Sequence, residues 1–183
     1  MKDEILADFN VPWCNELLRS PDLVPLETSG RLPPAPWDKV LTNTLCNETL
    51  KTEDTIRAWM ALRSEKARPR NLSPDFILLL SLGTGIGGFQ GVAHGGFSAL
   101  IMDQVMGMCA SITFGPSGVT AESWLKFKKS IRIPGIVVCR AVATKVRDRR
   151  IIIEGSIEDG SGAVYCEAGS VYTLRKQLPK ASL

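Results

Sequence analysis

Apolar and polar positions change rhythm several times along this chain. Between residues 55 and 63, Ile56, Ala58, Met60 and Leu62 alternate with Thr55, Arg57, Trp59 and Arg63, the period of a half-buried strand. Pro74 precedes Phe76-Ile77-Leu78-Leu79-Leu80, a continuous apolar run that predicts a second, more fully buried strand. From His94 to Phe114 the pattern turns helical, and Asp103 is the only formally charged side chain in that stretch. Phe97, Ile101, Val105, Met108 and Ile112 share one face, while Ala99, Met102, Met106 and Ala110 occupy the other. A helix apolar all round is a buried one, so a sheet is expected to wrap around it. Residues 120–133, 135–146, 150–158 and 163–174 read as four more strands. Their connections are Pro134-Gly135, Arg147-Asp148-Arg149 and Asp159-Gly160-Ser161-Gly162, short turns that predict consecutive antiparallel hairpins. The order predicts an α+β fold: one long central helix wrapped by a mostly antiparallel sheet of about six strands.

The first 50 residues read differently. Pro12, Pro21, Pro25, Pro33, Pro34 and Pro36 punctuate residues 1–36, leaving room for short helical turns but not for a long helix. Trp37, Val40, Leu41 and Leu45 recur at helical spacing and predict one short amphipathic helix over residues 37–50. Residues 1–50 are therefore expected to form a peripheral, proline-rich extension that packs on the main domain, residues 51–183. Residues 66–71 are expected to be a basic loop.

Composition narrows the chemistry. The chain has 183 residues and a net charge of +3, too mild to announce a nucleic-acid binder. One histidine excludes a His-cluster metal site. Cys14, Cys46, Cys109, Cys139 and Cys166 are scattered with no C-x-x-C spacing, which excludes zinc ribbons and thioredoxin-type motifs and predicts buried free thiols in a reducing compartment. The N-terminus lacks the apolar core of a signal peptide, and no apolar run approaching 18 residues is evident. The C-terminal Ala181-Ser182-Leu183 lacks the basic residue of a peroxisomal tag. A cytoplasmic protein with no metal, no cofactor, no nucleic acid and no membrane contact is the expectation.

Seven glycines fall in the fourteen residues from Gly83 to Gly96. Gly83-Thr84-Gly85-Ile86-Gly87-Gly88 matches G-x-G-x-x-G, which in a dinucleotide-binding unit opens a helix beneath a pyrophosphate. Here Gln90-Gly91-Val92 follows, a poor helix start, and the rest of the chain reads as hairpins, so a dinucleotide-dependent oxidoreductase stays a distant reading. His94-Gly95-Gly96 opening the helix, Asp103 nine residues on, Val119-Thr120-Ala121, and then basic residues before Pro134-Gly135 form a second pattern. At these residues the chain resembles the hotdog-fold thioesterase superfamily. The likeness is closer to its phenylacetyl-CoA-thioesterase-like and THEM-type acyl-CoA thioesterase branches. It covers roughly residues 55–175, and the proline-rich extension is similar to that of fungal members.

Each residue type suits that chemistry. A helix N-terminus offers unpaired N–H groups and a partial positive charge, and glycine keeps side chains out of a substrate's way. The Gly95 amide is the first candidate for an oxyanion donor, with Gly96 beside it in substrate binding. Asp103, expected to be desolvated by its apolar helix, is the candidate general base or nucleophile. His94 is expected to bond the thioester or to fix the glycine turn. The resemblance gives Thr120 the task of positioning the acid or the water. Ser98 lacks the second glycine of a nucleophile elbow. Nine residues at about 1.5 Å rise separate His94 from Asp103 by roughly 13 Å, too far to serve one carbonyl from one helix. A homodimer with antiparallel helices, or a dimer of dimers, is therefore expected.

Lys126, Lys128, Lys129 and Arg132 are candidates to meet coenzyme A phosphates or an acidic carrier protein. Lys145, Arg147, Arg149 and Arg150 form a second basic turn. The resemblance implies an acyl-thioester hydrolase releasing a free acid from acyl-CoA or from a carrier-bound fatty or polyketide chain. A hotdog protein that only binds acyl groups or scaffolds a pathway is the alternative.

Overall fold

A computed structural model describes residues 7–26, 43–66, 75–115 and 118–174. A short helix α1 (Pro12–Leu18) and strand β1 (Leu23–Leu26) come first, and then a π-helical turn at Leu45–Thr49. Strands β2 (Ile56–Ser64), β3 (Phe76–Leu82), β4 (Gly87–Phe89) and β5 (Val92–Ala93) lead into the long helix α2 (Gly95–Phe114). Strands β6 (Gly118–Phe127), β7 (Gly135–Arg147), β8 (Arg150–Glu158) and β9 (Val164–Leu174) follow. A seven-stranded sheet has the order β1-β2-β3-β7-β8-β9-β6, with every pair antiparallel, and β4 and β5 form a separate small hairpin. The sheet curls around α2, which packs on β3, β6, β7, β8 and β9. This is the predicted α+β architecture.

Alternation along the strands builds two cores on opposite faces. Phe76, Leu78, Leu80 and Leu82 of β3 join Val137, Cys139, Ile151, Ile153, Ala168 and the α2 residues Ile101, Val105 and Met106 in the larger one. The intervening Ile77 and Leu79 point the other way, with Ala58, Leu62 and Val138, and pack on Phe9 and Cys14. The N-terminal segment is thus built into the fold. Pro12 starts α1 where no N–H is needed, β1 adds a strand beside β2, and the Ser81 hydroxyl donates to Asp8 Oδ1 at 3.3 Å. Pro25 is accommodated because β1 is an edge strand.

Four expectations change. The strand predicted over 120–133 ends at Phe127, because the Lys128 and Lys129 amides both turn to the Tyr165 carbonyl and the ladder closes there. Of the helix predicted over 37–50, residues 37–42 lie outside the described residues, and the remainder holds only the π-helical turn, whose Leu45 is exposed rather than packed. Helix α2 is not covered all round. Gly96, Asp103 and Ser111 are exposed and Leu100 and Gly107 half-buried, a continuous stripe at helical spacing that the sheet leaves partly open. Finally, Gly95–Thr113 has the length and hydropathy of a membrane-spanning segment, against the expectation that no such run exists. Its seat inside the sheet makes it the core helix of this fold.

Candidate active site

The glycine-rich segment serves to seat one residue. Gly87–Phe89 is a strand, so no helix follows the G-x-G-x-x-G run and the dinucleotide geometry is absent. The His94 amide donates to the Ile86 carbonyl and the Ala93 amide to the Ile131 carbonyl, while Val92 bridges Arg132. His94 is thereby clamped at the N-cap of α2. Its Nδ1 accepts from the Gly96 N–H at 2.8 Å, satisfying one of the orphan donors of the first turn. In a neutral ring this leaves the proton on Nε2, where it can be donated outward. A Cβ at Gly96 would stand 2.9 Å from His94 Nδ1, and one at Gly88 3.1 Å from Cδ2, so both glycines make room for the ring. The Gly95 amide has no acceptor among the described residues, and the Phe127 ring lies alongside.

Two helical turns away, Asp103 lies in the open stripe of α2 and is exposed in the single chain, not desolvated as its apolar surroundings in the sequence predict. The reason is its angular position, on the partly open stripe of α2 beside the edge strand β6. Thr120 of β6 donates its hydroxyl to Asp103 Oδ1 at 2.8 Å. Tyr172 of β9, opposite Thr120 in register, donates to the main-chain carbonyl of Asp103 at 2.8 Å and stands 3.4 Å from Oδ1. Burial pushes the Tyr172 phenol above its ordinary range, so it stays a donor. Asp103 is thus held from two strands, its Oδ1 by Thr120 and its main-chain carbonyl by Tyr172, while Oδ2 has no donor among the described residues. One carboxylate oxygen is fixed and the other is free.

Tyr172 is the site residue that sequence reasoning missed, together with Gly107. A Cβ on Gly107 would lie 3.3 Å from the Tyr172 hydroxyl, so the glycine admits the phenol to the helix. A glycine in the middle of an apolar helix costs about 1 kcal/mol relative to alanine. That cost was the available signal that something approaches closely there.

The basic residues divide. Lys128 is paired with Glu167 at 2.9 Å, and that carboxylate's hydrogen bond raises the lysine's pKa. Lys126, Lys129 and Arg132 are exposed near the end of β6. Ser98 is buried, which fits its dismissal as a nucleophile. Among the described residues no His/Cys/Asp/Glu cluster could hold a metal.

Residues 90–166 match the sequence model of the thioesterase superfamily. MIOREX complex component 3 of Saccharomyces cerevisiae is 27% identical over 85 residues, which are 46% of this chain and 32% of that protein. The match therefore spans about a third of that relative's length. Among solved structures, a thioesterase superfamily protein is 21% identical, covering 63% of this chain and 53% of its own, with a TM-score of 0.55. Zebra fish thioesterase superfamily member 2 is 14% identical over 64% of this chain and 81% of its own, TM-score 0.54. A hypothetical thioesterase from Streptococcus pneumoniae is 17% identical over 69% of this chain and 98% of its own, TM-score 0.56. That protein was solved with one aspartate changed to alanine and, separately, with a threonine sixteen positions further on changed to alanine. The hotdog fold and the superfamily likeness read from the sequence are both borne out.

Proposed function

We propose that this hotdog-fold chain, whose central stretch matches the thioesterase superfamily, hydrolyses acyl thioesters at Asp103. The observation that carries the reading is the Thr120–Asp103 hydrogen bond on the open stripe of α2, which fixes Oδ1 and leaves Oδ2 for the reaction. The aspartate and threonine chosen for substitution in the S. pneumoniae structures have a similar spacing and support the pairing. As a general base, Oδ2 takes a proton from water while the water oxygen bonds to the thioester carbon. The C–S bond then breaks, and the thiolate leaves with that proton as the thiol. As a nucleophile, Oδ2 attacks the carbon itself, the C–S bond breaks and the thiolate leaves, and water then hydrolyses the resulting anhydride to the free acid and the restored carboxylate, its released proton going to the thiolate.

The carbonyl oxygen gains charge in either route and needs a donor. The unpaired Gly95 amide at the positive end of α2 suits it, with the outward His94 Nε2–H beside it and the bare backbone of Gly96 beneath. One helix holds Gly95 and Asp103 too far apart for one substrate, so the complete site is shared by two copies. Edge strand β6, with Trp124 and Phe127 exposed, and the uncovered stripe of α2 form the surface for that pairing. Lys126, Lys129 and Arg132 suit the phosphates of coenzyme A or the acidic surface of an acyl carrier.

A non-hydrolytic role within an assembly is the second reading, favoured by the complex-component name of the yeast relative. Thiol release from acyl-CoAs of graded chain length, by wild type and Asp103→Asn, separates the two. Hydrolysis predicts a loss of about a hundredfold or more in kcat with an unchanged melting temperature. Turnover unaffected by the substitution, or absent with every acyl-CoA and acyl carrier, removes the proposed reaction.

A further inference from the structure

The hairpin joining β7 to β8 breaks a local rule. Arg147 and Arg150 are direct register partners, and like charges placed opposite one another across a ladder destabilise it. Arg149 adds a third guanidinium in the turn, and Lys145 a fourth cation two residues before Arg147. None of the four forms a salt bridge among the described residues. Arg149 spends one N–H on the Leu174 carbonyl, and Arg175 and Lys176 come next in sequence. Positive charge is concentrated here, and among the described residues lining the patch Asp148, in the turn itself, carries the one carboxylate.

These side chains rim a cleft of about 480 Å³ floored by Ile152, Val171 and Thr173. That size falls within the range of small-molecule sites. The floor residues alternate with Ile151, Ile153 and Tyr172, which are buried on the α2 side. The cleft therefore opens on the face of the sheet opposite Asp103, and a thioester lying along α2 does not account for it. The positive patch is also short: two residues beyond Ile152 on the same strand, Glu154 is exposed and reverses the sign. A long polyanion needs an extended basic track, whereas a bounded cationic rim over an apolar floor suits a compact ligand. Arginine forks match phosphate oxygens two at a time.

We propose that the β7–β8 cleft binds a small organic phosphate of nucleotide size, its phosphates on Arg147, Arg149, Arg150 and Lys145 and its flat apolar portion on Ile152 and Val171. The bound anion relieves the arginine–arginine repulsion, so the hairpin is built for an occupant.

ATP is the probe, titrated calorimetrically into the full chain, with inorganic phosphate and a short single-stranded RNA as comparison ligands. ATP is expected to bind, and Arg147→Gln/Arg150→Gln to weaken it at least about tenfold. The unliganded double variant should melt no lower than wild type, since it removes a like-charge pair, and this separates lost binding from lost folding. Ile152→Glu, which puts a carboxylate on the floor, should weaken ATP similarly. Inorganic phosphate should bind more weakly than ATP. Absence of ATP binding at about 1 mM, binding indifferent to the double variant, phosphate binding as tightly as ATP, or RNA binding that ATP cannot compete away would each overturn the proposal.

Discussion

Strands β3 and β6 belong to one sheet but live in different surroundings. All seven residues of β3 are buried, because α2 covers one of its faces and the N-terminal segment covers the other. Most of the ten residues of β6 are exposed: it pairs on one edge only and has no layer on its outer face. β3 is laddered on both edges, to β2 and β7, and β6 on one, to β9, so the two differ in pairing as well as in cover. The doubly covered half, β2-β3-β7, is where burial accumulates and where polar groups are few. The singly covered half, β8-β9-β6, carries Thr120, faces the Asp103 stripe and bears the cationic cleft. The groups proposed to meet ligands collect where the fold leaves surface unclaimed.

Substitutions can press on that contrast. Phe9 is fully buried between the N-terminal segment and the sheet. Phe9→Ala should lower unfolding free energy by about 3–5 kcal/mol in urea titrations; a loss under about 1 kcal/mol would show that the second core is dispensable. On the open side, Ser123→Lys puts a charge on the free edge strand and should weaken self-association about tenfold in sedimentation equilibrium while leaving the monomer folded. Unchanged association would move the proposed pairing away from β6. Tyr172→Phe should cost about 1 kcal/mol, the scale of one hydrogen bond, and lower kcat by loosening Asp103.

The same residue sets an alkaline limit. With its folded pKa raised by burial, its contribution is intact below the unfolded value near ~10 and is lost as pH rises toward the folded one. Stability measured from pH 8 to 11 should therefore fall less steeply in Tyr172→Phe than in wild type, and parallel slopes would contradict this. At the small end, Phe89 is 81% exposed, and Phe89→Ala should shift stability by no more than about 0.5 kcal/mol. A larger loss would mean that the β4–β5 hairpin is covered after all.

What was legible in the sequence was what depends on periodicity. The alternation of 55–63, the apolar run at 76–80 and the hairpin turns after residue 134 are local signals, and each appears as a strand or turn in place. Asp103 and Thr120 were legible as a motif, and their 2.8 Å bond follows. The exposure of Asp103 was not, because composition reports how apolar a helix is and not how far a sheet curls around it. Tyr172 was hidden for a related reason. It reads as an ordinary aromatic strand residue, and only the pairing of β9 with β6 brings it opposite Thr120. The strand overrun to residue 133 came from trusting β-branched and apolar residues beyond the point where β9 could supply a partner. The N-terminal segment looked peripheral because its prolines mask an apolar set, Phe9, Cys14 and Leu18, that finds its use only against a finished sheet.

The bond from Tyr172 to the main chain of Asp103 joins residues sixty-nine positions apart. During synthesis the helix can form long before β9 leaves the ribosome, since its own contacts are local. Asp103, however, gains its anchors only when β9 docks, because β6 and its Thr120 are laddered to the sheet through β9 alone. A nascent or truncated chain that stops before β9 would have the helix, the cap and the aspartate, yet hold that aspartate from neither strand. In time as well as in space, the proposed site is completed by the docking of β9.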